Sequence, residues 1–161
     1  MSSTVFPGNS VDPDPNGDVT LLVSLPQVSA LFGASHEMTV KYRASSKHLS
    51  LASRYFEKRL KAEWAEGKAL QSDGHVEMKI PETDPQVFLI LLNLMHCRTK
   101  RVPTTVTFDE LTKLAILVDY YQCHEILGLY PQHWLQPWRG QTPTTYRDEI
   151  VKWIFSGRIP F

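Results

Sequence analysis

Two mirrored dipeptides, His96-Cys97 and Cys123-His124, hold the residue types with the most obvious chemistry in this chain of 161 residues. Two thiols and two imidazoles are a donor set that zinc favours. Structural zinc sites, however, space paired ligands about two to four residues apart, so that both side chains turn toward one ion. Helical neighbours point about 100° apart and rarely chelate together. Ordinary packing or surface roles explain these dipeptides better, and either cysteine suits a small buried position. Ser45, Ser46, Ser50 and Ser53 lie close to His48 in sequence, yet no nucleophile elbow or oriented triad accompanies them, and helix capping accounts for them. The 8 glycines are scattered, so no phosphate-cradling loop is visible. No catalytic residue, cofactor or metal ligand is assigned.

Composition narrows the classes further. Lys+Arg and Asp+Glu number 17 each, which argues against a broad phosphate-binding face and makes nucleic acid a poor partner. Two local basic clusters remain, Lys41/Arg43/Lys47 and Arg98/Lys100/Arg101. They read as solvated surface or as a docking patch for an acidic protein segment. With 2 cysteines there is no secreted disulfide framework, so reduced thiols in cytoplasm or nucleus are expected. No signal peptide is visible, and the longest apolar run, residues 87–92, is far too short to span a membrane.

The elements that must position these residues follow from periodicity. Residues 1–16, rich in proline and small polar residues, cannot bury enough apolar area to offset their ordering entropy and predict a disordered tail. A strand at 19–23 is followed by a connection over 24–35 and a second strand at 36–43, where Met38, Val40 and Tyr42 alternate with polar residues. Two short helices come next. Ser53 caps the second, which is predicted to run to about Ala65 with Phe56, Leu60 and Trp64 in one stripe, and to stop at Gly67. A third strand occupies 75–80.

Asp84 and Pro85 open a central helix that is apolar nearly all round. After a polar, basic loop at 97–103, Thr107 and Glu110 form a capping box. The helix they open should bury Leu111, Leu114, Ala115, Leu117, Val118 and Tyr121. One further helix is expected over 124–134 and a last amphipathic one over 146–155. The aromatic residues Tyr130, Trp134, Trp138, Tyr146, Trp153 and Phe155 read as core or an intramolecular lid, with a partner anchor as the alternative.

This element order, with Tyr42, Ala44, Leu49, Ser53, Tyr55 and Phe56 in register, resembles the BTB/POZ domain. Gly17-Asp18-Val19-Thr20 is similar to that family's opening strand, and Trp64-Ala65-Glu66-Gly67 to its aromatic-x-Glu element. Phe88, Leu91, Leu92 and Met95 match its central helix, and Val118-Asp119-Tyr120-Tyr121-Gln122 its Ala-Asp-Lys-Tyr-Gln element. Ser45 stands where the family usually has His, and His96 where it has an aromatic. These variants look most like the BTB proteins abundant in filamentous fungi.

The resemblance implies an α+β fold, a small mixed sheet flanked by a cluster of short helices. The domain would occupy residues 17–135, with a helical extension over 136–161. It implies a protein–protein interaction module and no enzyme. The partner would be a cullin-type ubiquitin-ligase scaffold or, as the alternative, other copies of the chain in a homo-oligomeric, transcriptional or other assembly. A homodimer would use the face around Val19, Leu21, Lys47, His48 and Leu51. A cullin scaffold would use Met95, His96, Arg98 and Phe108.

Overall fold

Alternation along β1 (Val19–Ser24) buries Val19, Leu21 and Val23 while Thr20, Leu22 and Ser24 stay half-buried. The structure, a computed structural model, describes residues 12–24 and 39–138. β1 is the middle of a three-stranded mixed sheet, antiparallel to β2 (Thr39–Ala44) and parallel to β3 (Val76–Ile80). Register stacks like with like. Leu21 lies between Tyr42 and Met78, and Val19 between Ala44 and Val76, so one face of the sheet is apolar. The opposite face carries Arg43, Lys41, Glu77 and Lys79. A parallel pair needs a long crossover, and three helices supply it.

The first, α1 (Ser46–Ala52), is capped by Asp18, the residue just before β1. The Asp18 carboxylate accepts the Ser46 N–H at 2.7 Å and the Ser46 hydroxyl at 2.6 Å. Burial raises the Asp18 pKa, but these two bonds, together with an Asp18 main-chain bond and the nearby His75, make the net shift downward. Ser53 then caps α2 (Arg54–Arg59) as expected, accepting the Phe56 N–H, and its hydroxyl also donates to the Tyr121 carbonyl at 2.6 Å.

The long second helix expected from sequence is not formed. α2 ends at Arg59 and the chain turns before α3 (Ala65–Asp73). Phe56 is buried, but Trp64 sits in extended backbone at the cap of α3 and is 54% exposed. Gly67 is the reason and not the stop. A Cβ there would lie 2.0 Å from the Lys61 carbonyl oxygen, so only glycine lets α3 rest on the preceding turn. The helix terminates instead at Gly74, in left-handed backbone with φ 70.

α4 (Pro85–Met95) begins as its sequence dictates, with the Asp84 carboxylate accepting from Gln86 and Val87 N–H groups. The Tyr42 hydroxyl donates to the Pro85 carbonyl at 2.9 Å and fixes this helix against the sheet. Both halves of the capping box of α5 (Phe108–Tyr120) are made, and all six residues assigned to its inner face are buried. The helix expected over 124–134 is divided by Gly128 (φ 50) into a 3-10 turn, His124–Leu127, and α6 (Tyr130–Leu135). Trp134 of α6 is buried and donates through Nε1 to the Pro103 carbonyl. Gln136–Trp138 adds one 3-10 turn. The connection over 25–35 and the helix expected over 146–155 lie outside the described residues, as do residues 1–11.

Residues 12–16, assigned to the tail, are tied to the domain. The Asp12 carboxylate accepts the Arg43 N–H at 2.9 Å, the Asp14 N–H donates to the Arg43 carbonyl at 3.1 Å, and Pro13 is fully buried. Their partners, the Arg43 main chain and the Arg98 and Arg101 side chains, lie far off in the sequence, where composition does not reveal them.

Candidate interaction surfaces

His96 closes α4 and is 6% exposed. Its Nε2 accepts the Ser45 N–H at 2.9 Å and its Nδ1 faces the Leu92 carbonyl at 2.8 Å. A backbone N–H can only donate, so Nε2 is the bare nitrogen and Nδ1 carries the proton. Burial, followed by smaller effects, holds this imidazole below the usual histidine range. The exposed His48 ring stacks on it with centroids 5.1 Å apart. Both ring nitrogens are thus engaged within the chain. Ser45 and His96, the two departures from the resembled pattern, bond to each other.

The remaining sulfur and imidazole groups stand apart in role. Cys123 is buried, its Sγ 3.7 Å from the Val118 carbonyl, and burial pushes its thiol up to about 12. Cys97 is exposed at a positive φ of 55. His124 faces Asp119 at 3.9 Å. Among the described residues no group of three or more His, Cys, Asp or Glu could hold a metal ion.

The first expected face divides. Val19 and Leu21 are 0% exposed in the core and present nothing to a partner. Inward alternation along β1, visible in the sequence, takes precedence over their expected surface role. Lys47, His48 and Leu51 do share the exposed side of α1, and Leu51 is 90% exposed. The second face is also largely internal. Met95 and His96 are buried, Phe108 is half-buried at the start of α5, and exposed Arg98 donates through Nε to the Pro13 carbonyl at 3.0 Å.

A different surface is apolar and open. Ile116 (59% exposed) and Tyr120 (48%) lie one turn apart on α5. Tyr120 touches Tyr55 of α2 with centroids 5.4 Å apart, and the Arg59 guanidinium lies 5.9 Å from the Tyr55 ring centre. Arg59 pairs with Glu66 of α3, two residues beyond exposed Trp64. Burial, with lesser contributions from Tyr120, raises the Tyr55 phenol pKa. Sequence reasoning missed this strip, although Ile116 and Tyr120 fall off the buried stripe of α5 at i, i+4 spacing, a readable signal.

No helix among the described residues is long and apolar enough to cross a membrane. No curated protein matches the chain. A family model described as BTB/POZ domain matches residues 18–136, the span that carries the mixed sheet, the capped central helices and the surfaces above. The chain therefore belongs to the BTB/POZ domain family, whose domain is a protein-interaction module.

Proposed function

We propose that this domain is an adaptor that docks a cullin-type ubiquitin-ligase scaffold through the strip formed by Tyr55, Trp64, Ile116 and Tyr120, within the cytoplasm or nucleus. The observation that carries this reading is the exposure of Ile116, Tyr120 and Trp64, with Tyr120 packed on the half-buried Tyr55 of α2 and Arg59 beside that ring. Folded proteins seldom leave such surface uncovered without a binding role. Tyrosine and tryptophan beside an arginine have the composition of an interface hot spot. A pull-down with the N-terminal domain of a cullin tests it. Capture by the wild-type chain should be lost in Tyr120→Ala and Ile116→Asp, and absence of capture by the folded wild-type chain refutes it.

The second reading, homo-oligomeric assembly, is favoured by Leu51, the most exposed large apolar side chain among the described residues. It lies beside Lys47 and His48 on α1. Light scattering separates the two readings. Self-association would raise the mass with concentration, and Leu51→Asp would abolish the rise.

A further inference from the structure

Residues 12–14, Asp-Pro-Asp, lie as a strap over the junction between the end of β2 and the loop after α4. Among the described residues, four bonds tie them to that junction. The Arg43 N–H donates to the Asp12 carboxylate, and the Arg43 carbonyl accepts from the Asp14 N–H. Arg98 Nε donates to the Pro13 carbonyl at 3.0 Å, and Arg101 Nη1 to the Asp12 carbonyl at 3.2 Å. Pro13 fills a fully buried niche between these anchors. The edge thus reads a main chain, a proline ring and an acid.

The edge has more anion-binding capacity than these bonds use. Arg98, Lys100 and Arg101 are exposed in a row, and the two guanidinium bonds named go to neutral carbonyls. Bonds from a guanidinium to a carboxylate are roughly twice as strong as neutral ones. A segment placing acids over Arg98 and Arg101 would therefore outbind the strap at the same positions. Proline at the buried position keeps the ordering cost low because its φ is already fixed.

We propose that the edge formed by Arg43, Arg98 and Arg101 is a docking site for an acidic, proline-containing segment of a partner protein, and that residues 12–14 fill it in cis. The strap then acts as a built-in competitor. A tethered segment presents an effective concentration on the order of 1 mM, so only a partner with better-placed carboxylates displaces it. This edge is distinct from the aromatic strip, and its occupancy is read separately.

The test uses the full chain and a fluorescein-labelled peptide with the sequence of residues 9–16, read by anisotropy. The variant Asp12→Ala/Pro13→Ala, which weakens the strap, should bind the probe at least about 10-fold more tightly than wild type. Adding Arg98→Ala and Arg101→Ala should remove binding. Equal affinity of wild type and the strap variant overturns the proposal, as does indifference to the arginine substitutions. Tighter binding of a single-stranded oligonucleotide than of the peptide overturns it too. Should the strap variant fail to fold, Arg98→Glu in the otherwise native chain replaces it. Hydrogen exchange at the Arg43 and Asp14 amides must then quicken while core amides stay protected, and unchanged exchange at those two amides refutes the strap. Cullin capture through Tyr120 is unaffected by any of these changes, so failure here leaves the adaptor reading standing.

Discussion

Replacing His96 by phenylalanine tests whether a neutral imidazole latches the end of α4 to the start of α1. Phenylalanine keeps a ring of similar size in the buried site and removes both hydrogen bonds. The Leu92 carbonyl still accepts the main-chain N–H of residue 96, so the group left without a partner is the Ser45 N–H. An orphaned buried donor costs about 1–3 kcal/mol, and for this half-buried N–H a loss of about 1 kcal/mol, the lower end, is expected at pH 7.5. The pH dependence is the sharper readout. The imidazole is surrounded by His48 stacked on it, Arg98, Asp14, the Ser45 N–H and the Leu92 carbonyl, and its folded-state pKa is lowered, chiefly by burial. A histidine whose folded value lies below its unfolded value of about 6.5 contributes stability that is fully present above that pH. The contribution is lost as pH falls from there through the lower folded value, with a slope of at most about 1.4 kcal/mol per pH unit. Urea unfolding at pH 7.5, 6.5 and 5.5 measures it. The slope below pH 6.5 should flatten in His96→Phe and persist in His48→Ala. If His96→Phe keeps the wild-type slope, the latch is not the titrating element and the reasoning fails.

Three further substitutions probe the frame. Gly67→Ala should destabilise by at least about 2 kcal/mol, although alanine is the better helix former, because its Cβ would collide with the Lys61 carbonyl; thermal melting checks this. Asn93 is buried in α4 with Oδ1 lacking a partner among the described residues, so Asn93→Leu should stabilise by about 1 kcal/mol, and a lower melting temperature would refute that expectation. Thr107→Ala removes the side-chain arm of the capping box while the residue 107 N–H still reaches Glu110, and it should cost about 1 kcal/mol in urea unfolding.

Features encoded by neighbouring residues were legible in the sequence, and features created by distant ones were not. Asp84-Pro85 and the Thr107/Glu110 pair announce their helices because caps act within one turn, and the inner face of α5 follows from its period. The break between α2 and α3 could not be read, since it depends on Gly67 meeting the Lys61 carbonyl across a turn. The same holds for residues 12–16, whose donors sit on Arg43, Arg98 and Arg101. The resemblance carried the family, and of the surface residues it implied Lys47, His48, Leu51 and Arg98 are exposed while Val19, Leu21, Met95 and His96 are buried. Val19 and Leu21 already alternated as inward residues, while Tyr120 and Ile116 stood off the buried stripe and went unused. His96 was legible as a departure but not as the partner of Ser45, a pairing that exists only once α4 returns to α1.

The parallel pairing of β1 with β3 sets the order in which this domain can assemble. β2 can pair with β1 directly, but β3 finds its place only after α1, α2 and α3 have formed the crossover between Ala44 and Val76. Long-range closure of this kind slows folding, because chain entropy is lost before the contacts repay it. On the ribosome, Val19, Leu21 and Val23 would emerge early and wait for Val76, Met78 and Ile80, with their apolar face uncovered in the meantime. The apolar face of the middle strand thus has to wait for its parallel partner during synthesis, and slowing translation between residues 45 and 75 would prolong that exposure.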